Sequence, residues 1–143
     1  MCYMPKVFTS NKQKIGKLGE GLAKKFLMKH GYLILAENYT KKYGEIDLIA
    51  KKGNIVTFVE VKSIIDNNVP HETYDPLQNI HPGKLKRLSR VIQVYLLNME
   101  NKVSRETKYS RNNEIKWQFD VIVVKINEKE RIGRVKHIKD III

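Results

Sequence analysis

Apolar residues recur along the chain at two different spacings, and the spacing changes from one segment to the next. Between residues 12 and 30 they recur every three or four positions and Gly31 follows, which predicts an amphipathic helix ending near this glycine. A second stripe with helical spacing follows Pro82, a residue suited to the first turn of a helix. The two stripes consist of Ile15, Leu18, Leu22, Ala23, Phe26 and Leu27, and of Leu85, Leu88, Ile92, Tyr95, Leu96 and Met99.

Strand-like patterns occupy much of the rest of the chain. Short apolar runs rich in β-branched and aromatic residues alternate with turn-forming residues. One segment contains two such runs joined at Gly53-Asn54, a dipeptide typical of two-residue hairpin turns. The last segment is predicted to form an edge strand. The predicted strands lie within residues 32–38, 44–63, 117–127 and 131–143.

The polar stretches between these segments predict turns and loops. Residues 39–44 are predicted to form a turn, and residues 65–83 and 98–116 to form long loops. Residues 1–11 read as a flexible basic arm. With 143 residues, of which 42% are hydrophobic, the chain is the size of one domain and can bury a core. We therefore expect a single α/β or α+β domain over residues 12–143.

Three charged residues interrupt the apolar pattern of the predicted hairpin. If Lys52 pairs with Ile55, Asp47 lies directly opposite Glu60, with Cβ atoms about 4.5 to 5.5 Å apart. Lys62 shares the face of Glu60 by the period of two. Both faces of the hairpin are otherwise apolar, which predicts that both are buried. Ile49, Val56 and Phe58 are predicted on the face of Glu60, and Ile46, Leu48, Ile55, Val59 and Val61 on the other.

Two carboxylates held at one point repel each other unless one is protonated or a cation lies between them. Hard oxygen ligands without His or Cys nearby favour Mg²⁺ or Mn²⁺. Such a site suits phosphodiester hydrolysis, with Lys62 adding a positive charge beside the phosphate. The competing interpretation is a Glu-x-Lys pair, Glu60 and Lys62, on an exposed strand face, which the flanking apolar residues disfavour.

The chain carries 27 Lys and Arg residues against 15 Asp and Glu residues, a net charge of +12. This surplus favours a polyanionic partner, although a solubilising surface of lysines would have the same composition. Four cations crowd the first two turns of the second helix, where they oppose the helix dipole and an anionic ligand would offset the cost. We therefore predict nucleic-acid contacts at Lys84, Lys86, Arg87 and Arg90.

Other features of the sequence indicate the cellular location and exclude disulfide and Cys-based zinc chemistry. The single cysteine, Cys2, permits neither a disulfide framework nor a Cys-based zinc site. No apolar run approaches the roughly 18 residues that span a bilayer, and the first ten residues lack a signal-peptide centre, so we expect a cytoplasmic protein without membrane contact. Asp120 is interpreted as a structural strand residue. His30, His71, His81 and His137 show no metal-binding spacing and are predicted to lie on the surface or in loops.

Spaced motifs over residues 15–125 resemble a known family. The segments "GKLGEGLAKKFLMKHGYLILAENY", "GEIDLIA", "FVEVKS", a K-x-x-R-L helix start and "FDVIVV" are similar to the YraN-type bacterial proteins of the restriction-endonuclease-like superfamily. That group is similar to the archaeal Holliday-junction resolvases. The resemblance implies an α-β-β-β-α-β core and a PD-(D/E)-x-K site formed by Asp47, Glu60 and Lys62, with Ile46 in place of the proline. The Arg that often follows "EVK" in the family is replaced by Ser63-Ile64-Ile65.

The resemblance also changes the interpretation of Glu20. This residue lies at the margin of the first apolar stripe and, taken alone, reads as a solvated glutamate. It matches the helix-borne acid of the resolvase-like branch, which implies a third metal ligand beside Asp47 and Glu60. The leading hypothesis is a Mg²⁺- or Mn²⁺-dependent DNA endonuclease with branched or junction DNA as candidate substrates. The alternative is an inactive nucleic-acid-binding module, and a resolvase-like role would favour a homodimer.

Overall fold

The computed structural model describes residues 2–3, 12–66, 80–106 and 115–143. They form two helices and six strands in the order β1, α1, β2, β3, β4, α2, β5, β6. The predicted loop residues 67–79 and 107–114 lie outside the described residues, as does most of the predicted basic arm. The element bounds are β1 Cys2–Tyr3, α1 Lys12–Lys29, β2 Leu33–Lys41, β3 Gly44–Lys52, β4 Ile55–Ile65, α2 Pro82–Glu106, β5 Lys116–Asn127 and β6 Ile132–Ile138.

All strands belong to one mixed sheet with the order β1-β6-β5-β4-β3-β2. Strands β4 and β5 are parallel, and every other neighbouring pair is antiparallel. From α1 onward the elements follow the order α-β-β-β-α-β, with β6 added at the end. The α/β fold expected from the sequence, a mixed sheet flanked by helices, is therefore confirmed.

Each helix covers its own face of the sheet with the apolar stripe read from the sequence. On the face covered by α1, Leu22 and Leu27 pack with residues of β3, β4 and β5 in one buried cluster. On the opposite face, Leu88 and Ile92 of α2 pack in a second cluster that includes Phe58. Because both faces are covered, the central strands carry apolar residues on both sides, as buried strands do.

The Gly53-Asn54 hairpin has the predicted register. Lys52 pairs with Ile55, and the ladder continues without a shift to the pair Leu48 and Val59. Gly31 follows α1 with a φ of 85°, a left-handed conformation that glycine adopts at little cost and that commonly ends a helix. The local signals in the sequence thus fixed both the turn and the helix end.

Four details differ from the predictions. Strand β6 is predicted to be an edge strand, but it lies between β5 and the two-residue strand β1, which pairs with it. Strand β2 runs on to Lys41, so the predicted turn at 39–44 shortens to residues 42–43, because Thr40 and Lys41 pair with the start of β3. Helix α2 extends to Glu106 into the predicted loop, because Met99 packs against the core and four of the next seven residues, all Glu, Lys or Arg, have good helix propensity. Ile46 lies in the α2-side cluster, opposite to its predicted face, beyond the last paired residues of β3 and β4.

The end of the chain is fixed by a buried carboxylate. Asp120 is fully buried, and its Oδ1 accepts hydrogen bonds from Gln118 Nε2 and the Asp140 backbone N–H, both 2.9 Å long. His137 Nε2 lies 2.6 Å from Asp120 Oδ2, and the side chain of His137 is only 7% exposed. The structural interpretation of Asp120 is confirmed, whereas the prediction of His137 as a surface residue is wrong, because β6 turns its ring inward. We call these four residues the Asp120 clamp.

Neither helix has a stretch long and apolar enough to cross a membrane within the described parts of the chain.

Candidate active site

The candidate site lies where β3 and β4 separate. Their ladder ends at the pair Leu48 and Val59, so Asp47 and Glu60 are the next two residues in the same register. At this point the Asp47 side chain replaces the ladder, because its Oδ2 accepts a hydrogen bond of 2.8 Å from the Val61 N–H. Two carboxylates thereby face an opening at the edge of the hairpin instead of a continuous pair of strands.

Two connected depressions form around these carboxylates. The main cleft, about 530 Å³ in volume, contains all four predicted catalytic residues and also Lys84. The side cleft, about 220 Å³, shares Asp47, Glu60 and Lys84 with it. The main cleft is lined by Ile15, Gly16, Glu20, Asp47, Glu60, Val61, Lys62, Ser63, Ile64, Ile65 and Lys84. Besides the three shared residues, the side cleft is lined by Gly44, Glu45, Arg87 and Leu88.

The surroundings of the two carboxylates raise the pKa of Asp47. Burial, and next the negative charge of Glu60, raise the pKa of Asp47 to about 7, although the hydrogen bond from Val61 opposes the shift. Glu60 is only 5% exposed. Asp47 is therefore protonated in part of the molecules at neutral pH. This is expected of two neighbouring carboxylates when the cations nearby do not fully neutralise them.

Two lysines bring positive charge to the same point. Lys84, from the first turn of α2, places its Nζ directly on Oε1 of Glu60. Burial acts to lower the pKa of Lys84, but the contact with Glu60 outweighs burial and the pKa is raised. Burial, and next the charge of Lys84, lower the pKa of Lys62, while Glu60 opposes this effect. The site thus contains a compact network of acids and cations.

Glu20 reaches the main cleft because α1 lies very close to β4. A Cβ atom on Gly19 would stand 1.7 Å from Ser63 Oγ and 2.9 Å from Ser63 Cβ, so only glycine permits this approach. Burial, followed by Glu45 and Glu60, raises the pKa of Glu20. The role of Gly19 was not predicted, although glycines at positions 16, 19 and 21 of an otherwise helical pattern are a signal of close approach in the sequence.

Glu20 is also connected to the edge strand β2. The Asn38 amide nitrogen can donate to Glu20 Oε2 at 3.3 Å and to Glu45 Oε1 at 2.9 Å once the amide is oriented to satisfy both acceptors. Asn38 itself has a φ of 49° in the left-handed region. An amide between two glutamates separates their charges and holds Glu20 at the rim of the cleft.

The donor set fits a hard cation that keeps part of its water shell. The residues described by the structure contain no group of three or more His, Cys, Asp or Glu side chains arranged to hold a metal. Asp47 and Glu60 alone supply carboxylate oxygens at one point, and Mg²⁺ commonly uses one or two protein carboxylates and several waters. A divalent ion would also relieve the repulsion that raises the pKa of Asp47. Glu20, which the resemblance implied as a third ligand, also lines the main cleft, where it would contact such an ion directly or through a bound water.

Two of the four basic residues predicted to contact nucleic acid line the candidate site. Lys84 lies inside the site, and Arg87 lines the side cleft. Lys86 is exposed, and the guanidinium of Arg90 lies 5.8 Å from the centre of the exposed Tyr43 ring. The structure therefore separates Lys84 and Arg87, which face the candidate site, from the other two.

Comparison with known proteins identifies a sequence family whose match to this chain includes the described site. A family model described as "Uncharacterised protein family UPF0102" matches residues 19–124, which include every predicted catalytic residue. A UPF0102 protein of Caldicellulosiruptor bescii is 33% identical over 132 residues, covering 91% of this chain and 98% of the relative. One of Clostridium tetani is 32% identical over 130 residues, covering 91% and 93%. One of Helicobacter hepaticus is 42% identical over 86 residues, covering 60% and 72%.

Proposed function

The chain belongs to the uncharacterised protein family UPF0102, and for this member we propose the activity of a metal-dependent endonuclease that hydrolyses phosphodiester bonds in DNA. The membership confirms the YraN-type resemblance seen in the sequence. The nuclease activity, the metal and the DNA substrate are our proposal. The observation that carries it is the pair of converging carboxylates, Asp47 and Glu60, beside two lysines in an open cleft.

The chemistry of the pair supports hydrolysis better than a structural role. A buried carboxylate in a structural role is satisfied by a full set of donors, whereas the pKa of Asp47 is raised to about 7 chiefly by burial and by Glu60. Asp47 and Glu60 would hold Mg²⁺ or Mn²⁺, which would supply a nucleophilic water and stabilise charge on the phosphate. A carboxylate with a perturbed pKa, next to a second acid in an accessible cleft, is typical of a catalytic centre.

The side chains around the pair have separable tasks. Lys62 shares the main cleft with both acids and would stabilise the negative charge that develops on the phosphate. Arg87 lines the side cleft, where its guanidinium would bind a neighbouring backbone phosphate with paired hydrogen bonds. Glu20 at the rim would orient a water molecule. With a net charge of +12, the protein would also attract nucleic acid from a distance.

The test is cleavage of a DNA panel by the purified full chain. Linear duplex, flap and four-way junction of equal length would be incubated with Mg²⁺, with Mn²⁺ and with chelator. We expect metal-dependent products that disappear in Asp47→Asn, and faster cleavage of the branched DNAs if a junction is the preferred substrate. Products that survive chelation, or equal activity in Asp47→Asn, would contradict the proposal.

A second candidate is a nucleic-acid-binding module that does not cleave. The contact between Lys84 and Glu60 favours it, because a lysine already neutralises one of the two proposed metal ligands. A binding module would show DNA affinity that is independent of Mg²⁺ and no product with any DNA of the panel. Metal binding to the wild-type protein therefore separates the two candidates before a substrate is known.

A further inference from the structure

Lys84 does not occupy the position that a simple phosphate-binding residue would take. Its Nζ lies on Glu60 Oε1, and the Glu60 side chain is 6% exposed, so this ammonium is the cation placed against a nearly buried acid. The lysine is held there by the start of α2, where its backbone N–H donates to the His81 carbonyl at 2.8 Å. The contact thus joins α2 to β4 across the cleft.

This contact stands at the junction of the two depressions. The main cleft and the side cleft have only Asp47, Glu60 and Lys84 in common among the residues that line them. A cation bound by both carboxylates must occupy the point where these three side chains meet. A divalent ion that took Glu60 Oε1 as a ligand would compete with the Lys84 ammonium for this oxygen, and the two cations would repel each other at so short a distance.

We infer that Lys84 is an internal substitute for the metal, which neutralises Glu60 in the metal-free protein and is displaced when a divalent ion binds. The inference rests on the metal site of the proposed function and adds a residue to it. The Lys84 side chain is 37% exposed while it contacts Glu60, and after displacement its ammonium would stay tethered beside both clefts. It is then available to bind the substrate phosphate.

This exchange couples metal binding to DNA binding. In the metal-free protein Lys84 is paired with Glu60, so its ammonium is not available to bind a DNA phosphate. The two carboxylates also repel that phosphate. With metal bound, Lys84 is released and the acids are neutralised, so the affinity for DNA rises. By linkage, DNA must raise the affinity for metal by the same factor. Removing Lys84 should therefore strengthen metal binding and weaken the coupling.

The first measurement is Mn²⁺ affinity, by calorimetry or by the electron paramagnetic resonance signal of free Mn²⁺, in the absence of DNA. We expect Lys84→Met to bind Mn²⁺ about tenfold or more tightly than the wild type, since it removes a charge-assisted contact that competes for Glu60. Arg87→Met is the matched control, because it removes the same charge from the side cleft. Its affinity should change about threefold at most.

The outcomes separate this inference from the proposed function. If the wild type and Lys84→Met both fail to bind Mn²⁺, the metal site and with it the proposed function are wrong. If the wild type binds but Lys84→Met is no tighter than Arg87→Met, only the inference is wrong. Asp47→Asn should bind weakly in every background, which locates the measured ion at the cleft.

A second measurement uses the unaltered protein and does not depend on the folding of a variant. Magnetic resonance of the lysine ammonium groups should show the Lys84 signal shifting in step with Mg²⁺ addition, while that of exposed Lys86 stays in place. Binding of a DNA junction in Ca²⁺ should gain less from the metal in Lys84→Met than in the wild type. A Lys84 signal that does not respond to saturating Mg²⁺ would overturn the exchange.

Discussion

Within the described residues, the Asp120 clamp and the main cleft both hold acids that are buried or half-buried, and these acids are partnered in different ways. In the Asp120 clamp one carboxylate receives two hydrogen bonds on Oδ1 and lies beside His137 on Oδ2, within a closed environment. In the main cleft, Asp47 and Glu60 face each other with one hydrogen bond from Val61 and one contact from Lys84. Both oxygens of the Asp120 carboxylate therefore have partners, whereas Asp47 and Glu60 put two carboxylates side by side in a cleft open to solvent.

This difference separates a structural acid from a candidate catalytic one. Both groups sit on central strands of the same sheet, so burial alone does not separate them. The separating property is the balance of charge and donors around each carboxylate. If this is correct, equivalent substitutions in the two groups should have opposite effects on stability and on activity.

The largest expected effect is the loss of cleavage when the acid pair in the cleft is altered. Asp47→Asn or Glu60→Gln should lower DNA cleavage by about 10³-fold or more, because each removes a charged ligand. Lys62→Ala should lower turnover to a similar extent while Mn²⁺ affinity is largely kept, since this ammonium acts on the phosphate. Rates under metal saturation and Mn²⁺ titrations measure the two effects. Weak metal binding by Lys62→Ala would contradict its assigned role.

The same change of Asp to Asn in the clamp should affect stability instead. Asp120→Asn removes the charge that His137 and two N–H donors contact, so we expect unfolding to become easier by about 1–3 kcal/mol. Asp47→Asn should be neutral or stabilising above pH 7, since the amide oxygen can still accept from Val61 while the repulsion disappears. Urea unfolding of both variants measures this pair. A stabilised Asp120→Asn would remove the distinction between clamp and cleft.

The close approach of α1 to the cleft gives a prediction of intermediate size. Gly19→Ala should destabilise the fold by about 1–3 kcal/mol and lower cleavage, because the added methyl group would collide with Ser63 and push Glu20 away. Ser63→Gly should restore part of both losses, whereas Gly21→Ala, with open space around the position, is the matched control. A double-mutant cycle without interaction energy would show that this contact does not position Glu20.

The sequence predicted those parts of the site that depend on local signals. The Gly53-Asn54 turn fixed the hairpin register, and the register alone brought Asp47 and Glu60 together. The role of Lys84 could not be predicted in this way, because it depends on where α2 docks after residues 67–79. The burial of His137 depends likewise on the pairing of β6 with β5, which involves residues distant along the chain. Periodicity predicts faces, but it does not predict which distant element covers them.

The raised pKa of Asp47 in the cleft predicts a pH dependence of stability. The pKa of Asp47 is raised from 3.8 to about 7, so the folded protein holds a proton that the unfolded chain releases. This contribution is fully present below pH 3.8 and is lost as the pH rises to about 7. The metal-free wild type should therefore lose a few degrees of melting temperature relative to Asp47→Asn over this range, by about 2–6 °C. Saturating Mg²⁺ at pH 8 should reverse the loss. If the melting temperatures of the two proteins change with pH in parallel, the raised pKa of Asp47 is wrong.

The smallest expected effect concerns the salt dependence of DNA binding, measured with Ca²⁺ to prevent cleavage. Arg87 lines the side cleft, whereas Arg134 is an exposed residue of β6, on the strand that carries His137 of the clamp. If duplex DNA follows the cleft, Arg87→Ala should flatten the slope of log affinity against log salt by about 0.9, the value for one lost phosphate contact. Arg134→Ala removes the same charge but should leave the slope within error, because the clamp region does not contact the DNA backbone.

The loss for Arg87→Ala should be similar for unrelated DNA sequences, since phosphate contacts position the ligand without reading bases. An equal change of slope in both variants would mean that the DNA is attracted by net charge alone, and that the cleft is no more a binding surface than the clamp.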